Sequence, residues 1–195
     1  MRDAMIRYIL IAWCVASLGG CAALSEEECR SANWYALGDT DGSRGANPNH
    51  KLERYHEACT KIGITPQVDP YIAGWKQGVA RYCTPDNAYA AGRAGQTYHG
   101  VCTGDADRLF RINYGYGYRI YEIRRRIADI EEEIRQREIK LQEAPRKDDP
   151  KSQGKGELTK DQRRILIEQI KRLGDELPQR RWELRDAESV PIIRR

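Results

Sequence analysis

Nucleophiles, bases and metal ligands are few in this chain, and their spacing decides what each could do. Beyond the N-terminal region stand Cys29, Cys59, Cys83 and Cys102, which could act as thiolates, zinc ligands or disulfides. Structural zinc sites draw ligands from close pairs such as Cys-x2-Cys. The gaps here are 30, 24 and 19 residues, so no metal is expected. An even set of this kind points instead to disulfides in an oxidising compartment. Of the alternative pairings, Cys29–Cys59 with Cys83–Cys102 is favoured, because each then closes a short loop around one Gly/aromatic unit. Gly38-Asp39-Thr40-Asp41-Gly42-Ser43 invites a calcium-loop reading. Setting Gly42 as the obligatory glycine, however, places Leu37 at the first carboxylate position and Pro48 at the bidentate one. Asp39 and Asp41 are read as caps of a turn or a short helix. His50, His56 and His99 are the candidate bases, with Asp41, Asp69 and Asp86 to orient them. No Gly-x-Ser-x-Gly elbow, His-Glu-x-x-His helix or phosphate loop accompanies them. No catalytic residue, no cofactor and no enzymatic activity is expected.

The elements that would hold these residues divide the chain by composition. Residues 21–103 carry the four cysteines, all three histidines and most of the glycines, and read as a small disulfide-bonded head. A body this small buries little core and is commonly stapled. Within it, Tyr71-Ile72-Ala73-Gly74 with Gly78 and Tyr82-Cys83 is echoed by Tyr89-Ala90-Ala91-Gly92 with Gly95, Tyr98 and Val101-Cys102. A weaker copy is Trp34 with Gly38, Gly42 and Gly45. Glycines three or four apart share one helix face, where a second backbone can come close. The reading is short helices packed through glycine and aromatic contacts. Residues 104–119 form a Tyr/Gly-rich junction with Tyr114, Tyr116 and Tyr118, followed by Tyr121. It is read as a packed joint, with sugar stacking or a lipid interface as alternatives.

Residues 120–188 read as a coiled-coil helical arm. Ile120, Ile123, Ile127, Ile130, Ile134 and Leu141 recur at three and four, as do Leu166, Ile170, Leu173, Leu177 and Leu184. Arg137 and Arg180 fall on these seams. The segment 144–158, rich in Pro, Gly and charge, reads as a flexible loop that lets the second helix fold back antiparallel. Thr159 with Gln162 makes a capping box for that helix, and Pro178 should kink it near Gly174. Arg124–Arg126, Arg180-Arg181 and Arg194-Arg195 are read as solvated helix faces.

The first twenty residues have the layout of an export signal: Arg2 and Arg7, an apolar run from Tyr8 to Leu18, then Leu18-Gly19-Gly20-Cys21. The run is well short of the roughly 20 residues needed to span a bilayer. The closing tetrapeptide resembles the bacterial lipobox. That resemblance implies removal of residues 1–20 and a diacylglyceryl thioether on Cys21 as the mature N-terminus. Ala22, rather than the Asp that retains enteric lipoproteins in the inner membrane, favours the outer membrane facing the periplasm. Nucleic acid is not expected there as a partner.

Taken together, Cys29, Trp34, Gly38-Asp39, Asp41-Gly42, Gly45, Cys59-Thr60-Lys61-Ile62-Gly63, Tyr71, Gly74, Gly78, Tyr82-Cys83, Gly92, Gly95, Tyr98 and Gly100-Val101-Cys102 resemble a known family. It is the proteobacterial lipoproteins grouped as domain of unknown function twenty-seven ninety-nine, over about residues 21–102. The resemblance implies an address and a fold, and no activity. The expected protein is mainly α: a small disulfide-stapled Gly/Cys-rich helical head followed by a coiled-coil hairpin. Its expected role is structural or adaptor-like, meeting another envelope protein or a second copy through the coiled coil, with a cell-wall or glycan-binding module as the alternative and a periplasmic enzyme third.

Overall fold

A computed structural model describes residues 24–144 and 158–195. The export signal, Cys21 and most of the loop 144–158 lie outside the described residues. Seven α-helices make up the described chain: α1 (Glu26–Arg30), α2 (Trp34–Ser43), α3 (Pro48–Cys59), α4 (Val68–Tyr82), α5 (Pro85–Arg93), α6 (Gly104–Glu143) and α7 (Lys160–Glu188), with a 3-10 turn at Thr60–Ile62. Helix starts follow capping chemistry. Ser25 with Glu28 and Thr159 with Gln162 form reciprocal capping boxes, and Asn33, Asn47 and Thr84 cap α2, α3 and α5. Pro48 and Pro85 open α3 and α5, where a missing N–H costs nothing.

The chain is mainly helical, as expected, but its division falls elsewhere. One compact unit ends at Tyr82 and the second begins at Cys83. The segment grouped in sequence as a head, 21–103, is therefore split, and its last part belongs with α6 and α7. The reason lies in the glycines. In the first unit, α2 crosses α4 so closely that a Cβ at Gly38 would lie 1.9 Å from the Tyr71 carbonyl oxygen. A Cβ at Gly78 would lie 2.1 Å from that of Asp39. In the second, a Cβ at Gly92 would lie 2.3 Å from the Tyr114 oxygen, and one at Gly117 would lie 2.2 Å from that of Tyr89. Each unit is built on one such backbone-to-backbone crossing, possible only where side chains are absent.

These crossings are two copies of one motif. Gly42 and Gly92 stand 50 residues apart, as do Gly45 and Gly95; Gly78 and Gly117 stand 39 apart, as do Tyr82 and Tyr121. Gly45 and Gly95 both have positive φ and both lie under a tyrosine ring, Tyr82 and Tyr121 respectively. Trp75 Nε1 donates to the Ala46 carbonyl at 2.8 Å, and Tyr114 OH to the Gln96 carbonyl at 2.7 Å, in the same two registers. The repeat seen in sequence, Tyr71–Cys83 against Tyr89–Cys102, is thus out of register. The counterpart of α2 is α5, and that of α4 is the first third of α6. The repeating unit is a helix pair, so aligning one helix of the first pair with the opposite helix of the second misplaces it. Residues 104–119 are likewise no separate joint, since α6 runs unbroken from Gly104 to Glu143.

The favoured disulfide pairing is the one present, Cys29–Cys59 in the first unit and Cys83–Cys102 in the second. In the second unit α7 folds back antiparallel on α6. Ile120, Ile130, Leu173 and Ala187 are buried along the seam, and Arg126–Glu176, Arg181–Glu131 and Arg124–Glu188 bridge its flanks. The seam arginines are accommodated by partners: Arg137 donates to Gln169 Oε1 at 3.1 Å, and Arg180 to Glu176 and Glu183. Helix α7 continues through Pro178 without interruption.

Candidate functional site

The most concentrated polar chemistry sits inside the first unit, around Asp41, which is 3% exposed. Helix α2 brings the carboxylate inward on the same face as Gly38 and Gly42. Helix α3 supplies Lys51 and Tyr55, and α4 supplies Tyr71. Asp41 Oδ2 accepts from Tyr55 OH at 2.7 Å and from Tyr71 OH at 3.0 Å. Its Oδ1 meets Lys51 Nζ at 3.2 Å. The Asp41 carbonyl also accepts from the Arg44 and Ala46 amides, closing the end of α2. Around the carboxylate, Trp34, Tyr55 and Tyr71 pack edge-on in series, with centroids 6.1 and 6.0 Å apart. A buried carboxylate is costly unless paired and hydrogen-bonded. Here three donors from two other helices satisfy it. Asp41, read in sequence as a turn or helix cap, is instead the polar centre of a core; Asp39 is no cap either, lying within α2 and pairing with Arg81 of α4 at 2.6 Å.

The arrangement holds protons firmly. Burial, then the hydrogen bond to Asp41, raises Tyr55 well above the ordinary tyrosine value; burial, then the nearby Asp41 charge, does the same to Tyr71. Neither phenol can serve as a base near neutrality. Since folding raises both values, their stabilising contribution is complete below about pH 10 and is lost as pH climbs past that unfolded value. Spectrophotometric titration near 295 nm should therefore show two tyrosines that stay protonated until the protein unfolds in alkali. Full ionisation around pH 10 with helicity retained would contradict the buried site.

The candidate bases are not gathered. His50, His56 and His99 are exposed, and none pairs with a carboxylate among the described residues. Asp69 is exposed on α4, and Asp86 is engaged by Arg194 at 2.6 Å. In the second unit a ladder of aromatic rings runs from Tyr98 onto α6, Tyr98–Phe110–Tyr114–Tyr118–Tyr121, each ring stacked or tilted on the next. Rings that spend their faces on one another offer little platform to a sugar. Tyr98 OH also donates to Asp107 and accepts from the Cys102 amide, tying the disulfide loop to the start of α6. Burial, then the hydrogen bond to Asp107, pushes Tyr98 up to about 12.

Sequence reasoning missed Lys51, Tyr55 and Asn113. Lys51 and Tyr55 stand at i and i+4 beside the apolar face of α3, a signal that could have placed them with Asp41. Asn113 carried no signal.

Comparison with known proteins bears on these two helix pairs. Residues 33–119 match the family described as protein of unknown function (DUF2799). The matched segment, less than half of the chain, is similar to that family. It opens at Asn33, the cap of α2, and closes just after Gly117, so it contains both glycine crossings and both positive-φ turns, while Tyr121, which covers the second turn, lies two residues beyond it. The match is shifted from the expected residues 21–102: it begins later, leaving out Cys29, and ends further on, where the start of α6 completes the second crossing. The rest of α6 and all of α7 lie outside the DUF2799 match. No curated protein and no solved structure matches the chain.

Proposed function

We propose that this protein is a lipoprotein of the outer membrane, facing the periplasm, whose DUF2799-like segment is a rigid base and whose α6–α7 hairpin engages another envelope component. The observation that carries the reading is Leu18-Gly19-Gly20-Cys21 after an apolar run too short to span a bilayer. It is supported by the remaining cysteines: once Cys14 leaves with the signal and Cys21 is acylated, the four that remain pair with one another. Stable disulfides belong to an oxidising compartment. Among the described residues no helix is long and apolar enough to cross a membrane. Anchorage would then fall to the acyl chains, and several of them suffice to hold a protein at a bilayer.

Support for an adaptor role comes from what the hairpin leaves uncovered. Ile165, Ile167 and Trp182 on α7, and Ile139 on α6, are exposed, whereas Ile120, Ile130 and Leu173 of the seam are buried. Large apolar side chains concentrated on one element are a recurring feature of interaction surfaces.

The anchoring half is tested by Cys21→Ser. This variant should lose acyl labelling, accumulate as the longer precursor and leave the outer-membrane fraction. A processed variant that still sediments with outer membrane would remove the basis of the reading. The adaptor half is tested by Ile167→Asp combined with Trp182→Ala, which should abolish crosslinking to envelope proteins in intact cells while leaving anchorage unchanged.

A further inference from the structure

The C-terminal segment after α7 is held in a way that the packing of a tail does not require. Asn113 is fully buried on α6, and its side-chain amide faces a single residue of that segment. Asn113 Nδ2 donates to the Ile193 carbonyl at 2.8 Å, and Asn113 Oδ1 accepts from the Ile193 amide at 2.8 Å. The second Nδ2 hydrogen goes to the Leu109 carbonyl, also at 2.8 Å. One residue on, Arg194 grips Asp86 of α5 with two bonds, Nη2–Oδ1 at 2.6 Å and Nε–Oδ2 at 3.3 Å. Ile192 and Ile193 are half-buried beside these contacts.

The duplication shows that this position has been turned to a different use. In the register that relates Gly78 to Gly117, Asn113 corresponds to Gly74 of the first unit. At Gly74 a Cβ would lie 2.0 Å from the Tyr35 carbonyl oxygen, so the first crossing tolerates no side chain there. The second unit holds a buried amide at that point and directs it at an extended piece of chain. Pairing both backbone groups of one residue gives affinity without reading its side chain, as in strand addition. The bidentate arginine–carboxylate pair beside it adds a preference.

We propose that the α5–α6 groove carrying Asn113 and Asp86 is an acceptor site for extended peptide in which an aliphatic residue precedes arginine, and that residues 190–195 are its resident occupant. A partner presenting such a segment displaces the tail. The site stands independently of membrane anchorage and of the apolar face of the hairpin. An occupant tethered to its own site acts at an effective concentration on the order of millimolar. Where the segment binds the free site with a Kd of about 0.1 mM or tighter, an external peptide therefore binds the intact protein at least ~10-fold more weakly than a protein whose tail cannot dock.

The test uses the full chain and a fluorescently labelled hexapeptide, Val-Pro-Ile-Ile-Arg-Arg, followed by anisotropy. Ile193→Pro removes the N–H that Asn113 accepts and so frees the groove without truncation. The peptide should bind this variant saturably with a Kd of about 0.1 mM or tighter, and at least ~10-fold more weakly to the wild type. Adding Asp86→Lys, an exposed change, should weaken binding to the freed groove by a further ~10-fold. A peptide with proline in place of the second isoleucine should bind neither protein. Equal binding to wild type and Ile193→Pro, no binding to Ile193→Pro of wild-type helicity, or indifference to Asp86→Lys would each overturn the proposal.

Discussion

Gly38→Ala should cost the first unit about 4 kcal/mol or more, enough to unfold a domain of ordinary stability. The methyl group would lie 1.9 Å from the Tyr71 carbonyl oxygen and 2.9 Å from the Trp75 amide nitrogen. Both are backbone atoms and cannot rotate aside, so α2 and α4 must separate along their crossing. Separation also breaks the contacts that depend on it, among them the bond from Tyr71 on α4 to Asp41 on α2. Gly92→Ala should do the same to the second unit, where the nearest atom is the Tyr114 oxygen at 2.3 Å. The control is Gly115→Ala, two residues before the interlocked Gly117 on the same helix. Nothing lies within 4 Å of its Cβ position, so the change should stabilise by up to about 1 kcal/mol through helix propensity alone. Urea denaturation of the three variants measures the contrast. A Gly38→Ala loss below about 1 kcal/mol would mean the helices can part at little cost, and the interlocked crossing would not be what defines the fold.

That contrast also shows what was legible in the sequence. Gly38, Gly42, Gly74, Gly78 and Gly92 could be recognised as close-approach positions because helical spacing places each set on one face. Which helix approached which could not, because a glycine records that something comes near and leaves no mark of its identity. The helix partnering Gly92 bore Gly115 and Gly117 amid four tyrosines, which suggested a joint; only Gly117 touches the opposing backbone. The disulfide pairing was legible because each pair closes a short loop around one Gly-bearing helix, α2 between Cys29 and Cys59 and α5 between Cys83 and Cys102. The coiled-coil seam was legible from its period, since Ile120, Ile130 and Leu173 are buried where three-four spacing puts them. The clamp of Asn113 on Ile193 joins single residues 80 positions apart and has no periodicity to betray it. Asp41 was misread for a related reason. A lone Asp between glycines has the local signature of a cap, and its true partners arrive from helices 10 to 30 residues downstream.

Asp41→Ala should therefore destabilise the first unit by about 3 to 5 kcal/mol, the penalty for breaking a buried charged network at one member. The substitution leaves the Tyr55 and Tyr71 hydroxyls buried without their acceptor and Lys51 without its counter-charge. Lesser changes should rank below it for stated reasons. Asp41→Asn keeps an oxygen able to accept from both tyrosines but turns an amide donor toward Lys51, which should cost about 1 to 3 kcal/mol. Tyr55→Phe removes one donor while Tyr71 and Lys51 still satisfy the carboxylate, and should cost roughly 0.5 to 1.5 kcal/mol. Because all three act on one cluster, Asp41→Ala combined with Tyr55→Phe should cost less than the sum of the single changes, the signature of direct coupling. Chemical denaturation of the single variants and the double variant gives the ranking and the coupling together. Strict additivity, or an Asp41→Ala loss no larger than that of Tyr55→Phe, would show that the carboxylate does not hold α2, α3 and α4 together. The edge-on Trp34–Tyr55–Tyr71 packing would then have to supply that cohesion alone.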